Sequence, residues 1–482
     1  MAKKRQVLFL MTDATRQDMV GCYGNPDVHT PNLDALAAEG IRFDCAYTCQ
    51  PVCGPARSAI FTGLYPHSNG SFTNSVALGD NVKTIGQRLR DHGIHTAYIG
   101  KYHLDGGDYF GLGRCPDGWD SDYWYDMKCY LEELTPEERV KSRNPKTNEE
   151  HIDASFTFGH RIANRAIDFL DRYKDEDFFL VASFDEPHDP ALCPEPYASM
   201  FQDYEFPKAP NVWDTLEGKP DYQKAWAGPR LKADRDAVRL KRPYYLGANA
   251  FADSEMGRIL TKLKEVAPDA MVIYTSDHGD AMESHCLYAK GPAFYDEIAR
   301  VPLIIKGGEA GKVYSGPVSH INLLPTIMEY MQLPRPQWVN GTSMLSTIQD
   351  VSVQANDVVF TEFTRYEVDH DGFGGFQPMR SVTDGRYKLS IHLLDAVDEL
   401  YDLQSDPYEM KNLIFSETHK GIRNALHDKL LDWMNETRDP FRGYYWERRP
   451  WRDDAAEATW DYTGYTRQRE HEEYEPRQLD YS

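Results

Sequence analysis

The stretch Phe9-Leu-Met-Thr-Asp-Ala-Thr-Arg-Gln-Asp18 closes an apolar run, Val7 to Met11, with the carboxylate of Asp13. Val272-Ile-Tyr-Thr-Ser-Asp-His-Gly-Asp280 repeats the pattern, again running from apolar residues into an acid, Asp277, followed by His278. A short apolar run without alternation suits a strand buried on both faces, as in a parallel sheet covered by helices. A carboxylate at the C-terminal edge of such a strand faces the crevice where open α/β sheets bind ligands. Working outward, His95–Ile99, Phe178–Phe184, Ala270–Thr275 and Val301–Ile305 read as further strands. Thr30–Gly40 reads as a helix with Thr30 as N-cap, Pro31 at its first position and Gly40 at its stop. Thr84–Gly93 starts and stops similarly, and Asp153–Tyr173 and Tyr245–Val266 carry apolar residues at helical spacing. The alternation predicts an α/β fold with a mostly parallel sheet flanked by helices.

At 482 residues the chain exceeds one ordinary core. The organisation read from it is a large domain over 1–355, a smaller α+β unit over 356–440 and an aromatic, charged tail over 441–482. Arg386–His392 and Glu399–Leu403 supply strands of the small unit and Thr418–Met434 its helix. The tail is expected to wrap the surface or join a subunit contact, which invites a homo-oligomer. Tyr130–Glu150 and Pro187–Arg242 are polar and proline-rich and read as loops around a site.

The formal charge of −23 argues against nucleic acid or an anionic membrane as partner, because either would be repelled. No apolar run approaches the roughly 20 residues that cross a bilayer. Met1-Ala-Lys-Lys-Arg before Val7–Met11 resembles a leader, but the apolar stretch is short and no small-residue cleavage site follows, so a buried strand in a cytoplasmic protein is expected. The eight cysteines form no CxxC array, which gives a zinc site little support and makes most of them small buried hydrophobes in a reducing compartment.

Pro51-Val-Cys-Gly-Pro-Ala-Arg-Ser-Ala-Ile-Phe-Thr-Gly63 contains the pattern Cys53-x-Pro55-x-Arg57 before an apolar helical run. Pro55 suits a helix start, so Cys53 sits where free N–H groups and the positive end of the helix dipole favour an anion. Arg57, one turn on, could point back at the same group. A buried cysteine at a helix start is an equal alternative for the isolated pentapeptide.

With its surroundings, this stretch resembles the signature of the formylglycine-dependent sulfatases of the alkaline-phosphatase-like superfamily. Asp27 to Phe43 and Glu399 to Leu413 also look like family text, so the resemblance covers most of the chain, nearest to bacterial sulfatases without an export signal. It implies a large mixed, mostly parallel sheet and a nucleophile made by oxidising Cys53 to formylglycine, the work of a separate maturation enzyme. It also implies a metal site of Asp13, Cys53, Asp277 and His278, with Ca2+ expected first and Mn2+ or Mg2+ next. Relatives carry a second acid or amide after the first aspartate, where this chain has Ala14. Lys101 and His103, two apart on an extended segment, could reach one anion; the resemblance gives them sulfate binding and, for the histidine, sulfate release. It gives Lys290 a grip on sulfate and His188 contact with the ester oxygen or proton donation to the leaving alcohol.

A sulfate monoester needs cations on its nonbridging oxygens, an activated oxygen nucleophile and a proton donor opposite. The expected function is thus hydrolysis of a small sulfate ester, with a sulfated mono- or disaccharide as leading substrate. His285, Arg365, His370 and Phe376 are the candidates for contacts to the alcohol, the last three in or beside the glycine-rich loop Glu367–Pro378. The rivals are a phosphonate monoester hydrolase or phosphodiesterase using the same residues, and a binding protein derived from a sulfatase, which Ala14 alone favours.

Overall fold

The computed structural model describes residues 4–367, 376–395 and 397–454. A seven-stranded sheet in the order β3-β4-β1-β5-β6-β2-β7 forms its centre. The strands are β1 Gln6–Thr12, β2 Ile41–Tyr47, β3 His95–Gly100, β4 Phe178–Ser183, β5 Met271–Ser276, β6 Leu303–Lys306 and β7 Lys312–Ser319. β3, β4, β1 and β5 run parallel, β6 opposes both β5 and β2, and β7 is parallel to β2.

Both faces of the parallel part of this sheet, β3-β4-β1-β5, are covered. Phe9, Tyr98, Val181 and Ile273 pack on one side with Phe61 of the helix Cys53–Thr62 and Leu324 of the helix Leu323–Tyr330. Leu8, Leu10, Ile99, Leu180 and Tyr274 face the other, under Leu33 of the helix Pro31–Glu39, Ile162 of Phe158–Tyr173 and Ile259 of Pro243–Val266. Successive side chains of a strand alternate faces, so a strand covered twice must be apolar throughout.

Some expected details differ. Thr30 does not cap its helix, because its hydroxyl is taken by the N–H of Gly21 at 2.8 Å. The Asp253 carboxylate replaces it, accepting from the N–H groups of Asn32 and Leu33 at 3.1 and 2.9 Å. Thr84 does cap Ile85–Arg90, in a reciprocal box with Gln87. The helix expected from Asp153 begins at Phe158, after a 3-10 turn at Ala154–Phe156. The two polar stretches read as loops contain short helices, among them Pro136–Lys141 and Asp221–Ala227.

Four antiparallel strands in the order β11-β10-β9-β8 make a second sheet, with β8 Val359–Phe363, β9 Met379–Thr383, β10 Tyr387–His392 and β11 Glu399–Asp402. The helix Lys420–Glu436 lays Leu426, Leu430 and Met434 on Val382, Leu389 and Leu400 of this sheet. Trp446 and Trp451 join the same core, and Arg449 Nε donates to Asp398 Oδ2 at 2.7 Å. The first part of the aromatic tail is therefore packed against the small sheet, and 455–482 lie outside the described residues. Lys388 of β10 ties the small sheet to the large domain, its Nζ 2.7 Å from Asp296 Oδ1 of the helix Asp296–Ala299. All eight cysteines are free thiols, four fully buried and four half-buried. Among the described residues no helix is long and apolar enough to cross a membrane.

Candidate active site

The parallel strands deliver their next residues to one place. Asp13 follows β1, Lys101 and His103 follow β3, Asp185 and His188 follow β4, and Asp277 and His278 follow β5. Cys53 is the first residue of its helix, one step further in than expected, and is fully buried. Its Sγ lies 3.2 Å from His278 Nε2 and 3.8 Å from Asp13 Oδ1. His278 Nε2 is 3.7 Å from both Asp13 Oδ1 and Asp277 Oδ1. One donor atom from each of Asp13, Cys53, Asp277 and His278 falls within 4.8 Å of the others.

The chemistry of this set fits a divalent cation. His278 Nδ1 donates to the Gly279 carbonyl at 2.7 Å, so Nε2 is the ring nitrogen turned toward Cys53 and the two carboxylates. Burial and the Asp13 carboxylate push Asp277 up to about 6, against the lowering influence of His278 and Arg57. Oxygen ligands with one imidazole suit Ca2+, Mn2+ or Mg2+.

Arg57 stands behind the carboxylates. Its Nε donates to Asp277 Oδ2 at 3.0 Å, Nη2 to Asp13 Oδ2 at 3.1 Å, and Nη1 to the Lys101 carbonyl at 2.6 Å and Ser183 Oγ at 2.9 Å. This fully buried guanidinium holds the acids in register rather than pointing at residue 53. Gly54 N–H donates to Asn74 Oδ1 at 2.9 Å, so one amide expected to be free for an anion is engaged.

Positive charge at Cys53 comes from lysines. Lys101 Nζ lies 2.8 Å from Asp13 Oδ2 and 3.1 Å from Asp185 Oδ1, and 4.2 Å from the centre of the Tyr109 ring. Burial works against the Lys290 ammonium, but Cys53, Tyr366 and Asp13 hold it well above the usual lysine range. Burial and Asp13 push the Cys53 thiol up, yet Lys290, Lys101 and His278 outweigh them and bring it to about 6. A strongly acidic chain thus keeps buried cations around one buried side chain.

The two histidines are neutral for the same reason. Burial, Lys101 and Arg57 bring His103 down to about 3, and neither ring nitrogen has a hydrogen-bond partner among the described residues. Burial, Lys101 and Lys290 hold His188 well below the usual histidine range. His188 Nδ1 donates to the Asp189 carbonyl at 2.9 Å, leaving Nε2 to accept from Lys290 Nζ at 3.2 Å.

Ala14 contributes its backbone. Its N–H donates to Asp277 Oδ1 at 3.2 Å, its carbonyl accepts from the Tyr245 hydroxyl, and its φ of 61° lies in the left-handed region.

The substrate candidates scatter. His285 is corrected to an interior role: its Nδ1 is 2.6 Å from Asp214 Oδ2 and 3.1 Å from Lys219 Nζ, and its ring stacks on Tyr295 at 3.7 Å. Fully buried among these partners, it offers no face to a ligand. Phe376 is exposed, 6.2 Å from the Phe441 ring; Arg365 is half-buried; His370 lies outside the described residues. Beside Arg365, Tyr366 reaches the site: burial raises its phenol, with Lys290 and Cys53 the next influences. Asp185 was passed over although it follows β4 as Asp13 follows β1. Tyr109, stacked on His188 at 5.2 Å, and Asn74 come from aperiodic loops that carry no sequence signal.

Fold and site together define an alkaline-phosphatase-like hydrolase, with its buried cluster of acids, lysines and Cys53 at the C-terminal ends of the parallel strands. The chain belongs to the sulfatase family, the sulfuric ester hydrolases: the family profile "Sulfatase" matches residues 5–333, and "N-sulphoglucosamine sulphohydrolase, C-terminal" matches 284–436. It is 45% identical to the uncharacterized sulfatase YidJ of Escherichia coli (strain K12), over 99% of this chain and 96% of that one. Its fold is similar to that of BT4656 solved with its substrate D-glucosamine-2-N,6-O-disulfate (TM-score 0.74, 21% identity, 91% of this chain and 99% of that). It is equally similar to the phosphonate monoester hydrolase of Agrobacterium radiobacter (TM-score 0.75, 24% identity, 90% and 96% covered).

Proposed function

We propose that the protein removes sulfate from a sulfated mono- or disaccharide. The nucleophile is formylglycine made from Cys53 by a maturation enzyme. Asp13, Asp277 and His278 hold a divalent cation beside it, Ca2+ ahead of Mn2+ or Mg2+. The observation that carries this reading is the position of Cys53 Sγ, 3.2 Å from His278 Nε2 and 3.8 Å from Asp13 Oδ1, under buried lysines. The cytoplasm is the proposed compartment, in keeping with eight free thiols.

A bound cation supplies charge neutralisation on the sulfate and acidifies a neighbouring hydroxyl. The rest is done by the chain's own groups. Arg57 fixes the two acids. Lys101 and Lys290 place positive charge where the nonbridging oxygens sit. Lys290 carries the proton that the departing alcohol oxygen needs, and His188, with Nδ1 pinned by a carbonyl, orients that ammonium. His103, neutral and without a partner, takes the proton from the remaining hydroxyl at residue 53 as sulfate is expelled and the aldehyde returns.

The test is mass measurement of the peptide containing residue 53, with turnover of 4-nitrophenyl sulfate set beside a phosphonate monoester and a phosphate diester. The expected result is loss of sulfur from residue 53 and a preference for the sulfate. Preference for a phosphorus ester would reverse the reading in favour of the phosphonate hydrolase.

A further inference from the structure

A cavity of about 600 Å³ has Asp185 and His188 in its wall, the residues that contact Lys101 and Lys290 of the buried cluster. Tyr109 joins cavity and cluster: its hydroxyl donates to Asp185, Lys101 Nζ lies 4.2 Å over its ring, and the ring stacks on His188. An alcohol whose sulfate lay between Lys101 and Lys290 would extend past His188 into this cavity. Phe110, Tyr130 and Phe158 supply flat apolar walls, and Arg143 stands at the rim with its guanidinium 4.2 Å over Phe110. No ion pair or side-chain hydrogen bond occupies Arg143 among the described residues.

Glu186 makes this more than a crevice. It lines the cavity at 6% exposure, its Oε1 accepts from Gly159 N–H at 3.1 Å, and Oε2 has no partner among the described residues. A buried carboxyl half-satisfied by protein is expensive to keep and points to a partner from outside.

We infer that this cavity receives the leaving alcohol as a pyranose ring, with Glu186 reading a ring hydroxyl and thereby determining specificity. The inference rests on the sulfate-ester reading above. A pyranose presents an apolar C–H face to aromatic walls and hydroxyls at its edge, and a monosaccharide fits well within 600 Å³. Burial, then Asp185, pushes Glu186 up to about 8, so at neutral pH it is an acid that both donates to and accepts from a hydroxyl.

The test compares glucose 6-sulfate with 4-nitrophenyl sulfate, which lacks ring hydroxyls, in wild type, Glu186→Gln and Glu186→Leu. Glu186→Leu is expected to lower kcat/KM for glucose 6-sulfate roughly tenfold or more, through KM, and to change 4-nitrophenyl sulfate less than about threefold. Glu186→Gln, which keeps a donor and an acceptor, is expected to retain most of the sugar activity. Equal losses on both substrates, or no loss on either, would overturn the assignment and leave a merely structural glutamate. Wild-type turnover of the aryl ester alone would also overturn it while sparing the sulfatase reading. If neither ester turns over, the sulfatase reading falls and calorimetric titration with glucose 6-sulfate decides the cavity. Binding weakened tenfold by Glu186→Leu supports it; binding absent or unchanged overturns it.

Discussion

Lys290 Nζ stands 3.2 Å from Nε2 of His188, a ring whose other nitrogen is committed to the Asp189 carbonyl at 2.9 Å. The proton at this end of the site therefore belongs to the lysine. Lys290→Met is expected to cut kcat for a sugar sulfate by about 10²-fold or more, the usual size of a lost general acid. The loss on 4-nitrophenyl sulfate, whose phenolate departs without a proton, should be much smaller. Steady-state kinetics on the two esters check this, and equal losses would give Lys290 a purely electrostatic role.

Cys53→Ala and Cys53→Ser should be folded and without measurable turnover. A thiol or hydroxyl at residue 53 has no second hydroxyl to drive sulfate off. Activity assays beside circular dichroism decide it, and full activity in either variant would refute the mechanism.

Arg57→Leu removes the group that bridges two buried carboxylates and leaves Asp277 without its guanidinium partner, at a cost of about 3–5 kcal/mol. Saturating Ca2+ should restore part of it, since a ligand at 100 times its Kd adds about 2.7 kcal/mol. Urea unfolding with and without Ca2+ measures both. A midpoint blind to Ca2+ would argue against a cation between Asp13 and Asp277.

Glu186 keeps its proton to about 8, against 4.5 for an ordinary glutamate. Between these values the folded chain binds a proton that the unfolded chain has released, so this residue's contribution to stability falls as pH rises through the window. Glu186→Gln cannot ionise. The melting temperature of wild type should therefore drop relative to Glu186→Gln as pH rises through this window. A constant difference would show an ordinary carboxylate.

Gly100 has φ +119°, and a Cβ there would lie 1.9 Å from the Ser183 carbonyl oxygen. Gly100→Ala must push β3 from β4 and shift Lys101, which follows directly. A loss of several kcal/mol is expected, with a disproportionate drop in activity. Thermal unfolding and kcat/KM provide the check.

The strand ends were the legible part of this molecule. Asp13, Lys101, His188, Asp277 and His278 each follow an apolar run that can only be a doubly covered strand, and the fold gathers them because parallel strands end on the same side. Asp185 obeys that rule and was overlooked among the neighbouring acids Glu186 and Asp189. β2 and β7 escaped because Arg42 and Asp44 interrupt the first and Gly316 and Pro317 the second. Their pairing comes from neighbours remote in the chain. The Asp253 cap on a helix near the N-terminus and the Tyr109 wall are likewise products of packing, with no local periodicity to announce them.

The bend at Ala14 survives in a form that alanine adopts reluctantly, since a left-handed backbone favours asparagine and aspartate among residues with a side chain. Ala14→Asn would therefore ease the turn and add an amide oxygen beside the donor cluster in one stroke. Position 14 is in this sense a dial with a single detent, where one side chain alters the donor set without any rebuilding of the scaffold around it.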